Sequence, residues 1–229
     1  MEFGAGKDHL FFTETEGINR RPFKVTRLDL KTGEKSTIFV DDDPTHYIDI
    51  SVSKDRKFLI INSSTKEDSE IWVLPRAPIE GWPDSSLPKK VVARNHNMSA
   101  SLWHVRDFFI LITKELSGEA KSQRILALTD AEIVEGNGTT PKLSQWRDYL
   151  DLYESTDDLV ITEFDSFENF IAIYCKRNGK PEILIQDLDT KTFDSVNIDQ
   201  DVGEIHPGIN QDYNAQELTF TYESPFVYE

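Results

Sequence analysis

One cysteine, Cys175, stands among 229 residues, which excludes an internal disulfide and points to a reducing compartment. Long apolar runs are also missing. A stretch such as 108–112 ends after five residues, against the roughly 20 that a membrane-spanning helix needs. Met1 to Leu10 has neither the basic nor the apolar region of a secretory signal, so the expected location is the cytoplasm. On the same ground the Asn-x-Ser/Thr triplets at Asn62, Asn97 and Asn137 are read as silent. Basic charge is in deficit: 25 Lys and Arg face 41 Asp and Glu, for a net charge of −16. Phosphate backbones are bound by basic patches, so a nucleic-acid partner is excluded. The acidic excess leaves two readings open, a plain solubilising surface or long-range steering of cationic ligands such as basic peptides.

Compact catalytic and metal signatures are absent as well. No Gly-x-Ser-x-Gly occurs; the nearest segment, Leu116-Ser117-Gly118, lacks the glycine two residues before the serine and reads as a turn. His9, His46, His96, His104 and His206 all stand more than four residues apart, so no H-E-x-x-H zinc motif exists. They read as strand-end or surface histidines. Cys175 follows an apolar run and reads as an inert core thiol. Asp41-Asp42-Asp43 lacks the order of a calcium loop and reads as a solvated link; Asp157-Asp158 carries no spacing information for paired-carboxylate chemistry. Trp72, Trp82, Trp103 and Trp146 do not cluster with basic residues, which makes them packing residues rather than base-stacking platforms. No catalytic, cofactor or metal residue is assigned.

What the sequence does contain is a repeat. Apolar runs begin at Leu10, Phe58, Phe108, Phe170 and Leu218, with spacings of 48, 50, 62 and 48. Periods of 40 to 50 residues with several short strands each are the signature of β-propeller blades. The long spacing contains an insertion, 130–152, with the turn signal Gly136-Asn137-Gly138. Within each unit a first strand (47–52, 102–105, 160–164, 204–209) leads through a polar turn to the apolar run. A third strand (23–30, 69–74, 124–128, 181–188) and a fourth (34–40, 90–93, 193–198) follow. The turns Lys31-Thr32-Gly33-Glu34 and Asp189-Thr190-Lys191-Thr192 occupy matching places. Continuous apolar runs such as 58–61 fit strands covered on both faces. Helical periodicity is scarce and best at 143–153. The expectation is an all-β partial propeller of about four to five four-stranded blades, at 8–43, 44–95, 99–148, 158–199 and an incomplete 203–229. The first unit is expected to lack its leading strand and the last to stop near 226–228, as though cut from a longer chain.

Several segments resemble the propeller of the oligopeptidase B and prolyl oligopeptidase family of serine peptidases. Phe11-Phe12-Thr13-Glu14-Thr15, Arg21-Pro22-Phe23-Lys24-Val25 and Arg27-Leu28 are similar to that family's strand, "RP-x-x-V" connection and next strand. Ser63-Ser64-Thr65-Lys66-Glu67-Asp68-Ser69-Glu70-Ile71-Trp72 resembles its Ser/Thr-rich turn, Phe164-Asp165-Ser166-Phe167 its "FD-x-F" blade entry, and Leu218-Thr219-Phe220-Thr221-Tyr222-Glu223-Ser224-Pro225 its last propeller strand. The resemblance implies a seven-bladed propeller that gates short peptides toward an α/β-hydrolase domain, here missing, with cleavage after Arg or Lys or, in the close relatives, after proline. It implies an inactive isolated chain, a peptidase parent, and self-association through open blade edges. Two rivals stay open: a stand-alone interaction propeller gripping a partner through loop tips 79–87 and 136–145, and a five-bladed carbohydrate-active propeller using a carboxylate pair.

Overall fold

The computed structural model describes residues 1–82, 86–95, 97–115, 123–136, 139–149, 159–197 and 202–225. The Ser117 turn, His96, Asn137, Asp157-Asp158 and 226–228 lie outside them. The chain divides into two units, Met1–Tyr149 and Leu150–Glu229.

In the first unit three antiparallel sheets follow one another, each with its four strands adjacent in chain order. Sheet one is β1 (Glu2–Phe3), β2 (His9–Glu16), β3 (Arg21–Asp29) and β4 (Lys35–Val40). Sheet two is β5 (Tyr47–Val52), β6 (Phe58–Ser64), β7 (Ser69–Pro75) and β8 (Lys89–Val92). Sheet three is β9 (Met98–Val105), β10 (Phe108–Glu115), β11 (Gln123–Thr129) and β12 (Arg147–Asp148). The second unit has one such sheet, β13 (Leu159–Ser166), β14 (Phe170–Arg177), β15 (Lys180–Asp187) and β16 (Phe193–Asn197), then a two-stranded sheet, β17 (Glu204–Pro207) and β18 (Phe220–Glu223). This is the expected all-β partial propeller of repeated four-stranded sheets.

The apolar runs are continuous because β6 feeds two cores at once. Leu59 and Ile61 join Phe11, Val25, Ile38, Ile48 and Ile50 on the side of sheet one. Phe58 and Ile60, pointing the other way, join Met98, Leu102, Phe109, Leu111 and Leu126 on the side of sheet three. Alternate side chains of a strand leave opposite faces, so a strand between two cores must be apolar at every position. Each such side chain stabilises the fold by about 1.5–3 kcal/mol on full burial. First strands have one free face instead: in β5, Ile48 and Ile50 are buried while Tyr47, Asp49 and Ser51 are exposed.

The matching turns also have matching bonds. Asp29 Oδ1 accepts from the amides of Lys31 (2.8 Å) and Thr32 (2.9 Å), and Asp187 Oδ1 from those of Asp189 (2.9 Å) and Thr190 (2.8 Å). Gly33 in the first turn and Lys191 in the second both take positive φ, 75° and 59°.

Three expectations are corrected. Sheet one has its leading strand, β1, pairing Glu2 with Phe11 and Phe3 with Leu10; two residues ahead of Gly4-Ala5-Gly6 carry no readable alternation. The described part of 143–153, up to 149, contains no α-helix. Residues Leu143–Gln145 form one 3-10 turn, and β12 then closes sheet three. The helix of the insertion is instead α1 (Asp130–Glu135), where Thr129 and Glu132 form a reciprocal capping box. A Thr followed three residues later by Glu satisfies two otherwise orphaned amides, and that signal was legible at Thr129.

Candidate functional site

Polar chemistry in the first unit concentrates in two buried clusters, both where neighbouring sheets meet. One joins sheets one and two around Arg21, the first residue of β3, whose side chain is buried. Its guanidinium donates to the carbonyls of Asp41 (3.1 and 3.2 Å), Asp43 (2.8 Å) and His46 (3.0 Å), and through Nε to Glu16 at 3.0 Å. Five donors in a rigid planar fork suit this task. The three carbonyls belong to the link between β4 and β5, so one side chain organises the passage from sheet one to sheet two.

Asp41 is therefore no solvated linker residue, contrary to the sequence reading. It is buried, accepts from Ser63 Oγ, and pairs with Arg94 Nη2 at 2.6 Å. Burial alone would raise its carboxyl pKa, but the bonds from Ser63, the Asp43 amide and Arg94 outweigh it and hold the group below the usual range. Asp43 is held lower still, to about 2, chiefly by the Thr45 hydroxyl and amide. Arg94 Nη1 bridges to Asp43 at 3.1 Å. His46, also buried, sets Nε2 2.8 Å from Asp68 and Nδ1 3.2 Å from Asp43. The Ser/Thr-rich segment thus supplies Ser63 and Asp68 to this seam, and Ser69, whose hydroxyl accepts from the Ala100 amide of β9 at 3.1 Å.

The second cluster joins sheets two and three. His104, at the end of β9, is buried with Nδ1 2.6 Å from Asp55 in the β5–β6 turn and Nε2 2.9 Å from Asp130 at the start of α1. The rings of Phe58 and Phe109 meet it edge-on at 4.6 and 4.5 Å. Burial alone would lower the imidazole pKa; the bonds to Asp130 and Asp55 overcome that and raise it above the usual value. Asp55, which burial would push up, is held down by His104 and Ser53.

His46 and His104, read as strand-end or surface residues, are thus interior groups. Their burial is hidden in the sequence for a physical reason: apart from Asp43, three residues before His46, their carboxylate partners lie 22, 49 and 26 positions away, where no local motif can show them.

A histidine that serves a nucleophile needs one ring nitrogen facing it. His46 and His104 have both nitrogens on acidic partners, and so does the exposed His206, with Glu163 at 2.9 Å and Glu204 at 3.6 Å. Thr45 Oγ1 lies 3.1 Å from His46 Nδ1, but its proton goes to Asp43 Oδ1 at 2.7 Å. Among the described residues no group of three or more His, Cys, Asp or Glu is placed to hold a metal ion. Cys175 is buried and its thiol is pushed up to about 12, mainly by desolvation. The Arg21 and His104 clusters thus join neighbouring sheets.

Of the loop tips, 79–87 is partly folded inward: Trp82 is buried and Ile79 packs on the core between sheets two and three. Trp146 is buried there too, and Trp72 packs against Phe39 at 5.2 Å between ring centroids. The segment Phe164-Asp165-Ser166-Phe167 supplies buried Phe164 and Phe167, the latter stacked on Phe170 at 4.3 Å. Of the Asn-x-Ser/Thr sites, Asn62 lies half-buried within β6, whereas Asn97 is exposed. The polar groups left facing solvent on first strands include Asp49 and Ser51 on β5, Ser101 on β9, Thr162 and Glu163 on β13, and Glu204 on β17.

Comparison with known proteins agrees with the propeller fold. The family model described as the prolyl oligopeptidase N-terminal beta-propeller domain matches residues 3–227. A prolyl endopeptidase-like protein of Gallus gallus is 30% identical over 112 residues, covering 48% of this chain and 14% of its own length. The one of Homo sapiens is 22% identical over 174 residues, covering 76% and 21%. Among solved structures, oligopeptidase B from Leishmania major superposes with a TM-score of 0.75 at 15% identity, over 96% of this chain and 30% of that one. Oligopeptidase B from Trypanosoma brucei with covalently bound antipain gives 0.71 at 19% identity, over 94% and 29%. The chain spans about a fifth or less of the length of these sequence relatives.

Proposed function

Because this chain belongs to the family of prolyl oligopeptidase N-terminal β-propeller domains, we propose that it is the non-catalytic propeller portion of a serine oligopeptidase. In this reading it gates the access of short peptides to an α/β-hydrolase domain that lies outside these 229 residues. The match over 3–227 is the observation that carries it. The geometry supports a passive role: both ring nitrogens of the buried His46 and His104 are engaged by carboxylates, within the sheet-one-to-two link and between sheets two and three.

Cleavage after Arg or Lys is the specificity we favour, over cleavage after proline. A net charge of −16 draws cationic peptides by long-range attraction, and exposed carboxylates such as Asp49, Glu163 and Glu204 stand on first strands. The partners are then the hydrolase domain and short basic peptides, and the compartment is the cytoplasm, consistent with a single buried cysteine.

The test is made on the native protein in its source cells, with an antibody to this segment and a fluorophosphonate probe for active serines. The expected result is one band about three times this length, as the 29–30% coverage of the solved chains implies, labelled by the probe. That protein should cleave short Arg- or Lys-containing peptides and spare folded proteins. An unlabelled band near 26.3 kDa overturns the proposal in favour of a stand-alone interaction module. Equal turnover of short peptides and folded proteins overturns the gating role.

A further inference from the structure

The His104 cluster joins three segments that are distant in sequence. Asp55 comes from a turn of sheet two, His104 from the first strand of sheet three, and Asp130 from the first residue of α1. We propose that it is a protonation-controlled latch: imidazolium His104 holds α1 against sheets two and three, and loss of its proton releases the Asp130 side.

The argument rests on hydrogen-bond inventory. Imidazolium has two N–H donors and neutral imidazole one. Both ring nitrogens of His104 face carboxylate oxygens, at 2.6 and 2.9 Å, so only the charged ring satisfies both. When the proton leaves, one carboxylate must face a lone pair, and which one yields is decided by access to water. The Asp55 side chain is 2% exposed and that of Asp130 22%. Asp55 also accepts from Ser53 Oγ at 2.6 Å and from the Lys57 amide at 3.2 Å, which pin it in its turn. Asp130 can rehydrate at far lower cost, so it is the one that leaves.

From β6 and β10 the groups against the ring are Phe58 and Phe109, and the charges acting on it are Asp130 from α1 and Asp55 from the β5–β6 turn. The sign follows from the raised value in the folded protein: the latch contributes fully below the ordinary histidine value and weakens as pH rises through the folded one.

Other restraints keep α1 attached once the Asp130 side is released. Lys89 Nζ donates to the Ile133 carbonyl at the far end, Ile133 is buried, and Arg147 Nη2 holds Glu132 at 2.9 Å. Release therefore loosens α1 without unfolding sheet three.

The experiment follows His104 by its ring Cε1–H resonance, together with hydrogen exchange of 130–136, between pH 5.5 and 10. Exchange is corrected for intrinsic rates and referred to β14 as an internal standard. The wild type should titrate above 6.5, with protection of 130–136 falling at least tenfold through the same midpoint. Asp130→Asn, which keeps an oxygen acceptor but removes the charge, should move the midpoint down toward 6.5, and exchange should move with it. His104 titrating at or below 6.5 in the wild type overturns the proposal. So does a midpoint unmoved in D130N, or protection that does not change with the titration. Should D130N fail to fold, the wild-type resonance and exchange profiles decide alone.

Discussion

Replacing Arg21 with alanine tests whether one buried guanidinium organises the passage between sheets one and two. The side chain donates to the carbonyls of Asp41, Asp43 and His46, two of them in buried bonds. A buried polar group left without its partner costs about 1–3 kcal/mol. The exposed half of the Glu16 pair adds little, as surface ion pairs do, and water reaching Asp43 recovers part of the loss. The expected destabilisation is about 3–4 kcal/mol, a large share of the roughly 5–15 kcal/mol typical of a domain. Urea unfolding followed by tryptophan fluorescence reads the change, since Trp72 lies in β7 and Trp82 in the β7–β8 connection of sheet two. Arg21→Lys should fall between the wild type and Arg21→Ala, because one ammonium cannot span three carbonyls. A loss below about 1 kcal/mol in R21A, at unchanged urea dependence, would refute the reasoning: the link would then be held by its own turn bonds and packing.

Other outcomes follow from the same structure. Phe58→Ala removes a fully buried ring that contacts Trp82, His104 and Phe109 at 5.6, 4.6 and 4.8 Å, and should cost about 3–5 kcal/mol in the same assay. Asp41 and Asp43 have folded pKa values below the unfolded 3.8, Asp43 near 2, so their stabilisation is present above 3.8 and lost as pH falls through the folded values; the urea midpoint should drop between pH 4 and 2, and less steeply in Asp43→Asn. Gly81 has φ +79°, and a Cβ there would lie 2.9 Å from Val134 Cγ1, so Gly81→Ala should lower stability by about 1–2 kcal/mol, read as a lower melting temperature. The Cys175 thiol, buried and pushed up to about 12, should react with a disulfide reagent only as fast as the second unit unfolds; rapid reaction in native buffer contradicts the burial.

The repeat was legible because sheet burial is written locally. A strand between two cores needs apolar residues at every position, so 58–61 and 170–173 stand out, and Asp-Thr turns mark the hairpins between third and fourth strands. Short strands were not legible: β1 and β12 have two residues each, too few for any periodicity. The insertion misled for a related reason, because apolar residues at 143–153 mimic a helical spacing while the true helix is announced only by its Thr129–Glu132 cap. The segments that resemble the oligopeptidase family carry buried polar bonds as well as strands. Arg21 of the "RP-x-x-V" segment and Ser63, Asp68 and Ser69 of the Ser/Thr-rich turn are the residues that bond sheet to sheet.

The sequence by itself determined an all-β chain of repeated four-stranded units, an acidic molecule without a compact catalytic or zinc motif, and a likeness to oligopeptidase propellers. The first two follow from composition, from the period of apolar runs and from local turn chemistry, all readable within a few dozen residues; the likeness rests on particular segments such as Arg21–Val25 and Ser63–Trp72. Only the tertiary structure decided that Asp41 is interior, that His46 and His104 are spent on carboxylates, and that Arg21 reaches three carbonyls of the next link. Such bonds join residues 20 to 53 positions apart. Charge alone does not say which carboxylate will be desolvated or which nitrogen will face it; that is settled when two sheets close on each other and every buried polar group must find a partner.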